Sequence, residues 1–275
     1  MSSFQGKVAI ITGAGSGIGK GLAEELARRG GQVVISDINS ERIEKTAQGI
    51  RAAGGQATAL RVDVSDYDAV KKMIDDTVAA HGRLDYLFNN AGIAIASPAH
   101  AFAIDDWRKI LQINLFGVVH GVAVAYPIMV KQGFGHIINT ASVEGLAPFP
   151  ATAGYVTSKY GVVGLSSALR IEGAAHGVKV SAVCPGYVKT AIFTDSKVIN
   201  IDRQKQLEGL PDWLGVTPEE CAKTILCGVE QNQAFIVVSL IAKFLWWLNR
   251  ISPNLVIWIM SKMYRNALTK GVIQA

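Results

Sequence analysis

Tyr155 and Lys159 stand four residues apart in the stretch AGYVTSKYGVVG, residues 153–164. On a helix that spacing lets two side chains converge on one point. A free tyrosine, with a pKa of about 10, is a poor base at neutral pH, and a neighbouring ammonium favours its phenolate. The pair is therefore a candidate general acid and base. Taken alone, Y-x-x-x-K arises by chance in many chains. Ser142 gives it weight: it closes IINTAS, thirteen residues upstream of Tyr155, where a strand would end. A hydroxyl there can hold a substrate oxygen while the tyrosine moves its proton.

A second constellation is TGAGSGIG, residues 12–19. Gly13 can make the tight turn, Gly17 lets backbone approach a phosphate, and Gly19 permits close packing of helix on strand. The helix that follows offers free N–H groups and a partial positive charge to a pyrophosphate. A plain flexible turn would look the same without Asp37, which ends the second strand 18 residues beyond Gly19. A carboxylate there can bond the adenosine ribose hydroxyls, although it could also serve as a strand-end cap. Its charge repels a 2′-phosphate, and neither Ser16 nor Ile38 supplies a cation, so NAD is favoured over NADP.

The elements that must position these groups alternate along the chain. KVAIITGAG, QVVISD, ATALRVDVSD, LDYLFNN, GHIINTAS, VKVSAVCPG and AFIVV read as strands. Helical patterns fall in GKGLAEELARRGG, SERIEKTAQGIRAAGG, near 66–80, around 104–131 and across Tyr155. The alternation predicts an α/β fold: a single doubly wound Rossmann-type parallel sheet with helices on both faces. No linker-like tract, low-complexity segment or internal repeat divides it.

Composition agrees with a folded chain, 49% of residues being hydrophobic and 18% charged. Cys184, Cys221 and Cys227 are odd in number and lack metal-ligand spacing, so they read as thiols in a reducing compartment. No metal is expected. MSSFQGKVAIITG lacks the pattern of a secretory leader, and a cytoplasmic location is the expectation. Residues 1–238 carry 22 basic and 22 acidic side chains, whereas 239–275 carry five basic and no acidic ones. These charges are spread through apolar sequence, which argues against nucleic acid as a partner.

Over residues 5–238 the chain resembles the short-chain dehydrogenase/reductase family in its shorter, single-domain form. TGAGSGIG resembles the cofactor loop, VDVSD (62–66) supplies Asp63 beside adenine, and NNAG (89–92) resembles the motif that stabilises the central strand. Asn114 in QINLFGV matches the asparagine that holds a water in the proton relay. PGYVKT (185–190) resembles the segment that wraps nicotinamide, with Thr190 available to its carboxamide or the phosphates. The resemblance implies catalysis by Asn114, Ser142, Tyr155 and Lys159. Tyr155 would be the acid and base and Ser142 would orient the substrate oxygen. Lys159 would lower the tyrosine pKa and bond the nicotinamide ribose. Cofactor contacts are implied for Gly13, Ser16, Gly17, Ile18 and Gly19, for Asp37, Asp63 and Val64, for Asn90, Ala91 and Gly92, and for Pro185, Gly186, Val188 and Thr190. The small residues Ala153, Gly154, Ser158 and Gly161 would leave room for cofactor and backbone. By the same analogy the protein would be a homodimer or homotetramer packed through long helices. A non-catalytic dinucleotide sensor, or an epimerase or dehydratase of the same fold, are the competing readings.

Substrate choice falls to the segment 191–215, which could close as a lid. Val143, Phe149, Tyr187, Ile192, Phe193 and Trp213 are candidates for the pocket wall, or for ordinary packing. Glu144 could contact substrate; a solvated or salt-bridged carboxylate is the plainer reading. His100, His120 and His136 read as surface or core residues. Residues 239–275 form an apolar, basic extension of the 1–238 domain. Leu240, Phe244, Leu248 and Ile251 recur at helical spacing, and a second helix is expected from about 253. Lys243, Arg250 and Pro253 break its apolar runs, against a membrane span. Three uses compete: covering the cleft and packing on a neighbouring subunit, lying peripherally on a membrane across 239–270, or forming an oligomer contact alone. The first two favour a small hydrophobic substrate, an alcohol or ketone of the steroid, retinoid, fatty or aryl class.

Overall fold

The computed structural model describes residues 3–208 and 215–274. Its strands are β1 (Val8–Thr12), β2 (Gln32–Asp37), β3 (Gln56–Arg61), β4 (Tyr86–Asn89), β5 (Ile95–Ala96), β6 (Gly135–Thr140), β7 (Val178–Pro185), β8 (Lys197–Val198) and β9 (Phe235–Val238). Among the described residues, seven of them pair in parallel in the order β3-β2-β1-β4-β6-β7-β9. From β1 the chain winds outward to β3, and from β4 it winds the other way to β9. That reversal opens a crevice at the carboxyl ends of β1 and β4.

The helices are α1 (Gly17–Arg28), α2 (Ser40–Ala52), α3 (Tyr67–His81), α4 (Ile104–Leu111), α5 (Gly117–Gln132), α6 (Ala153–Ala174), α7 (Ile192–Asp195), α8 (Arg203–Glu208), α9 (Pro218–Glu230), α10 (Leu240–Ile251) and α11 (Pro253–Thr269). Period-two side-chain alternation divides the core between the two faces of the sheet. Ile10 and Val34 join Ile74, Val122 and Val162 beneath α3, α5 and α6. Ala9, Ile11, Val33 and Ile35 join Leu22, Ile43 and Ile225 beneath α1, α2 and α9.

Three features differ from the sequence reading. The single helix expected around 104–131 is two, α4 and α5, joined by a π-turn at Gln112–Phe116. By length and composition this whole stretch could cross a membrane, yet it is the crossover from β4 to β6, with α5 packed on α3 and β6. The helix α9 has no counterpart among the expected elements, although its start is written in the sequence. Thr217 and Glu220 form a reciprocal capping box with Pro218 in the first turn. Finally, β5 and β8 pair in a separate two-stranded sheet that two-residue segments could not announce.

A buried polar row ties the strands to α6. Asn89 Nδ2 donates to Asn139 Oδ1 at 2.9 Å, Asn139 Nδ2 to Ser166 Oγ at 3.0 Å, and Ser166 Oγ to the Val162 carbonyl at 2.7 Å. Replacing Asn139 with alanine strands the Asn89 donor and the Ser166 oxygen without water. The substitution should cost at least about 1–3 kcal/mol, read as a lower urea midpoint with an unchanged slope.

Candidate active site

The acid–base candidates meet where β6 hands over to α6. Ser142 accepts the Glu144 N–H at 3.1 Å as cap of a short 3-10 turn, Val143–Gly145. That leaves its own proton free, and the hydroxyl stands near enough to the Tyr155 phenol to act on its pKa. Lys159, one turn further along α6, is 3% exposed and donates to the Thr140 carbonyl at 2.8 Å. Its ammonium lies 5.4 Å from the centre of the Tyr155 ring.

Asn114 completes the group, and the π-turn explains how. The wider turn carries its fully buried side chain onto the segment after β4, where Oδ1 accepts from Ile93 N and Nδ2 donates to Ile93 O, both at 2.9 Å. Nδ2 also reaches Ser158 Oγ at 3.3 Å. A side chain on Gly92 would stand 3.2 Å from Asn114 Oδ1 and 3.6 Å from Lys159 Nζ, so these three groups share one corner. π-Turns of this kind are common where a helix serves a site.

Electrostatics at this corner correct one expectation. Burial, then the Glu144 carboxylate, raise the Tyr155 phenol above its ordinary value, and the nearby Ser142 hydroxyl pulls it down. Lys159 was expected to do the lowering; here its ammonium is directed at the Thr140 carbonyl. Burial brings Lys159 itself down to about 8, with Cys184 and Glu144 opposing. Glu144 is half-buried and, among the described residues, makes no salt bridge. It accepts from Thr152 Oγ1 at 2.7 Å, and burial raises its carboxyl to about 7. His136 is a core residue, bonded through Nε2 to Ser181 Oγ and lowered to about 3 by burial.

The small residues of α6 serve the protein more than a ligand. A Cβ at Gly154 would press on Phe102 and Ile110, and one at Gly161 on Leu115. Ser158 Oγ donates to the Tyr155 carbonyl at 2.7 Å. Tyr155 is thus seated against the apolar group of Ile95, Phe102 and Ile110, the burial that lifts its pKa.

The glycine loop lies across the crevice. Gly13 has φ +66°, and a Cβ there would come within 2.7 Å of Ala91 Cα. A Cβ at Gly19 would overlap the Gly13 carbonyl oxygen, which is why helix and loop can approach. Gly17 opens α1 behind Ser16 and Ile18 follows within its first turn; Gly17 faces Thr190, whose Cγ2 would lie 3.2 Å from an added Cβ. Thr12, absent from the sequence candidates, joins the two halves of the sheet: its hydroxyl accepts Asn90 N at 3.0 Å and Ala91 N at 3.1 Å. Asn90 Nδ2 returns bonds to the Thr12 and Gly13 carbonyls.

Asp37 is held by Gly15 N at 3.0 Å and Asn39 N at 2.9 Å. Two cations that local sequence did not offer stand near it. Arg42 packs its Cβ on Gly15 and pairs with Asp195 at 3.5 Å, while Arg61, opposite Asp37 in register, donates to the Ile38 carbonyl. Asp63 is exposed and accepts Ser65 N and Oγ; Val64 is buried, its carbonyl 2.9 Å from His120 Nδ1. Pro185 ends β7, Gly186 N bonds the Val238 carbonyl, and Val188 bridges Val216. A crevice floored by glycines, opened by a helix N-terminus and ending on a fixed carboxylate has the chemistry a dinucleotide requires.

On the substrate side, Phe149 lines a cavity of about 500 Å3 with Pro98, Ala99, His100, Ala153 and Tyr264. Val143 is buried in the 3-10 turn, Tyr187 abuts Gly215, and Ile192 opens α7, half-buried. These residues are not gathered into that cavity. Trp213 and the side chain of Phe193 lie outside the described residues. Among the described residues of 191–215, expected as a lid, 197–201 are tied down: β8 pairs with β5, Lys197 binds Asp106 at 2.7 Å, and Ile201 bridges Ile273.

A profile of the short chain dehydrogenase family matches residues 7–198. SadH of Mycobacterium tuberculosis is 38% identical over 276 residues, covering 99% of this chain and 97% of its own, so the match includes the C-terminal helices. A cyclohexanol dehydrogenase from Acinetobacter sp. is 35% identical, covering 86% of this chain and 93% of its own. The crystal structure of a short chain dehydrogenase/reductase from Burkholderia phymatum in complex with NAD superposes with a TM-score of 0.84 at 31% identity, covering 93% of this chain and 96% of its own.

The raised carboxyl at Glu144 has a measurable consequence. The folded protein keeps this proton to about pH 7, whereas the unfolded chain releases it near the ordinary 4.5. The associated stability is therefore fully present below pH 4.5 and is lost as pH rises to 7. Between those values the parent should lose about 1–3 kcal/mol more than Glu144→Gln, at about 1.4 kcal/mol per unit. Urea unfolding of both proteins at the two pH values measures the difference.

Proposed function

Because this chain belongs to the short-chain dehydrogenase family, we propose that it interconverts a hydrophobic secondary alcohol and its ketone using NAD(H). One observation carries the reading. Buried Lys159 is fixed on the Thr140 carbonyl beneath the Tyr155 ring, and the Ser142 hydroxyl acts on that phenol, beside a crevice whose glycines and Asp37 suit a dinucleotide.

In this reading Ser142, with a lone pair engaged by the Glu144 N–H, donates its proton to the substrate oxygen and orients it. Tyr155 exchanges the proton at that same oxygen, giving it to a ketone and taking it from an alcohol. Its raised pKa makes the phenol the resting form, the acid that reduction needs. Oxidation needs added positive charge nearby. Lys159, held at about 8, is mostly an ammonium at neutral pH and contributes part of it. When bound, the nicotinamide supplies the hydride exchange and, in its oxidised form, a positive ring. Asn114 holds the segment at Ile93 that borders this corner.

NAD is supported over NADP by the Asp37 carboxylate, fixed by two backbone N–H groups, while Arg42 and Arg61 are engaged elsewhere. An apolar substrate is supported by the cavity of prolines, alanines, Phe149 and Tyr264. It agrees with the name of the Acinetobacter relative, since cyclohexanol is an apolar secondary alcohol.

The test is a panel of hydrophobic secondary alcohols followed at the reduced-nicotinamide absorbance, with NAD and NADP in parallel. Turnover should be faster with NAD, and Asp37→Ala should narrow the ratio of catalytic efficiencies; an unchanged ratio removes the role given to Asp37. Tyr155→Phe should lower kcat by about 10²–10⁴ while NAD affinity holds. A phenylalanine enzyme as fast as the parent would defeat the assignment.

A further inference from the structure

The two C-terminal helices carry more apolar surface than the domain covers. The inner side of α10 is well used. Ala242 is buried, Trp246 stacks on Phe235 with ring centres 5.5 Å apart, and Asn249 Nδ2 donates to the Leu146 carbonyl at 2.9 Å. The outer side is bare. Leu240, Phe244, Trp247 and Ile251 follow one another at four, three and four residues, which aligns them in one stripe. They are 81%, 68%, 57% and 78% exposed. Most of the apolar positions that recur at helical spacing along α10, Leu240, Phe244 and Ile251, therefore face outward. On α11, Val256 and Met260 turn inward while Leu255, Ile257 and Trp258 stay exposed. An outward apolar surface of this extent marks a contact with something else.

Charge selects what that is. Lys243, Arg250, Lys262, Arg265 and Lys270 are the whole ionic complement of residues 239–275. Arg250 lies 5.7 Å and 5.8 Å from the rings of Trp246 and Trp247, and Lys262 lies 3.9 Å from that of Trp258. In a two-fold pairing of this surface with a second copy, cations would face cations with no carboxylate in either segment to answer them. An anionic lipid surface satisfies both halves of the pattern: acyl chains accept the stripe, and headgroup phosphates accept the lysines and arginines.

The geometry points to the α10–α11 hairpin as a docking surface for anionic membrane. The hairpin lies in the interfacial plane with the outer stripe of α10 among the acyl chains. Tyr264, on α11, lines the cavity that holds Phe149 and Ala153, so docking sets that cavity beside the lipid.

The experiment uses the full chain, extruded vesicles of equal phosphatidylglycerol and phosphatidylcholine, and vesicles of phosphatidylcholine alone. The protein should sediment with the anionic vesicles at low salt, with a blue shift of tryptophan emission, and should weaken by at least about tenfold on neutral lipid or in half-molar salt. The double substitution Phe244→Glu and Ile251→Glu should cut the partition coefficient by at least about tenfold while the thermal midpoint holds. No sedimentation with anionic vesicles at low salt overturns the proposal, as does a double variant that binds like the parent. Sedimentation velocity runs alongside. A dimer that dissociates on the same two substitutions, with vesicle binding absent, assigns the stripe to a second copy and overturns the proposal equally. These readouts are of binding alone and stand or fall separately from the dehydrogenase reading.

Discussion

A buried ammonium has to be answered on every side, and much of the site consists of those answers. Lys159 is almost wholly removed from water, where an unpaired charge is strongly disfavoured. The Thr140 carbonyl takes one of its protons, Glu144 supplies nearby negative potential, and the Tyr155 ring offers a polarisable face. Each partner is positioned by a different element. Thr140 is the last residue of β6, Glu144 sits on the 3-10 turn capped by Ser142, and Tyr155 lies one turn back on α6. Anchoring one cation thus places the hydroxyls of Ser142 and Tyr155 in register without either being held by a partner across the crevice.

The winding of the sheet does the remaining positioning. Because β1 and β4 are neighbours and their chains leave in opposite directions, their carboxyl ends are free of overlying connections. Thr12 and Asn90 bridge that seam, keeping the glycine loop and the segment after β4 at fixed separation. The buried row of Asn89, Asn139 and Ser166 does the same between β4, β6 and α6 one layer deeper. Both faces of the crevice are therefore rigid where a dinucleotide would lie.

The parts legible in the sequence were those written in local pattern. Strand and helix order, Gly13, Gly17 and Gly19, and the convergence of Ser142 with Tyr155 and Lys159 all follow from spacing and alternation. What escaped depended on contacts between distant residues. Asn114 was picked out by resemblance, but not the π-turn that carries it, since QINLF has the same apolar content as an ordinary helical turn. Nothing beside Asp37 in the chain announces Arg42 or Arg61, which arrive through helix α2 and the pairing of β2 with β3. Spacing reveals a lysine beside Tyr155 but not where its ammonium points, nor how much apolar surface encloses the tyrosine ring. Helical spacing picked out Leu240, Phe244 and Ile251 on α10, but with Leu248 where the exposed stripe has Trp247; which side faces inward depends on where Trp246 stacks.

The wall on the substrate side is assembled differently from the sheet. It is fastened by the two-residue pairing of β5 with β8, the Lys197–Asp106 ion pair and the Ile201–Ile273 bridge. A handful of hydrogen bonds and one ion pair hold it, with only a small satellite of apolar packing at Ile95, against two large clusters beneath the seven-stranded sheet. The molecule is accordingly two cooperative units of unequal strength, and amide protons of β5 and β8 belong to the weaker one. Local unfolding of that unit would leave every strand of the seven-stranded sheet paired. The wall beside the cavity can thus rearrange on its own, held by a few contacts far weaker than those that keep the protein folded.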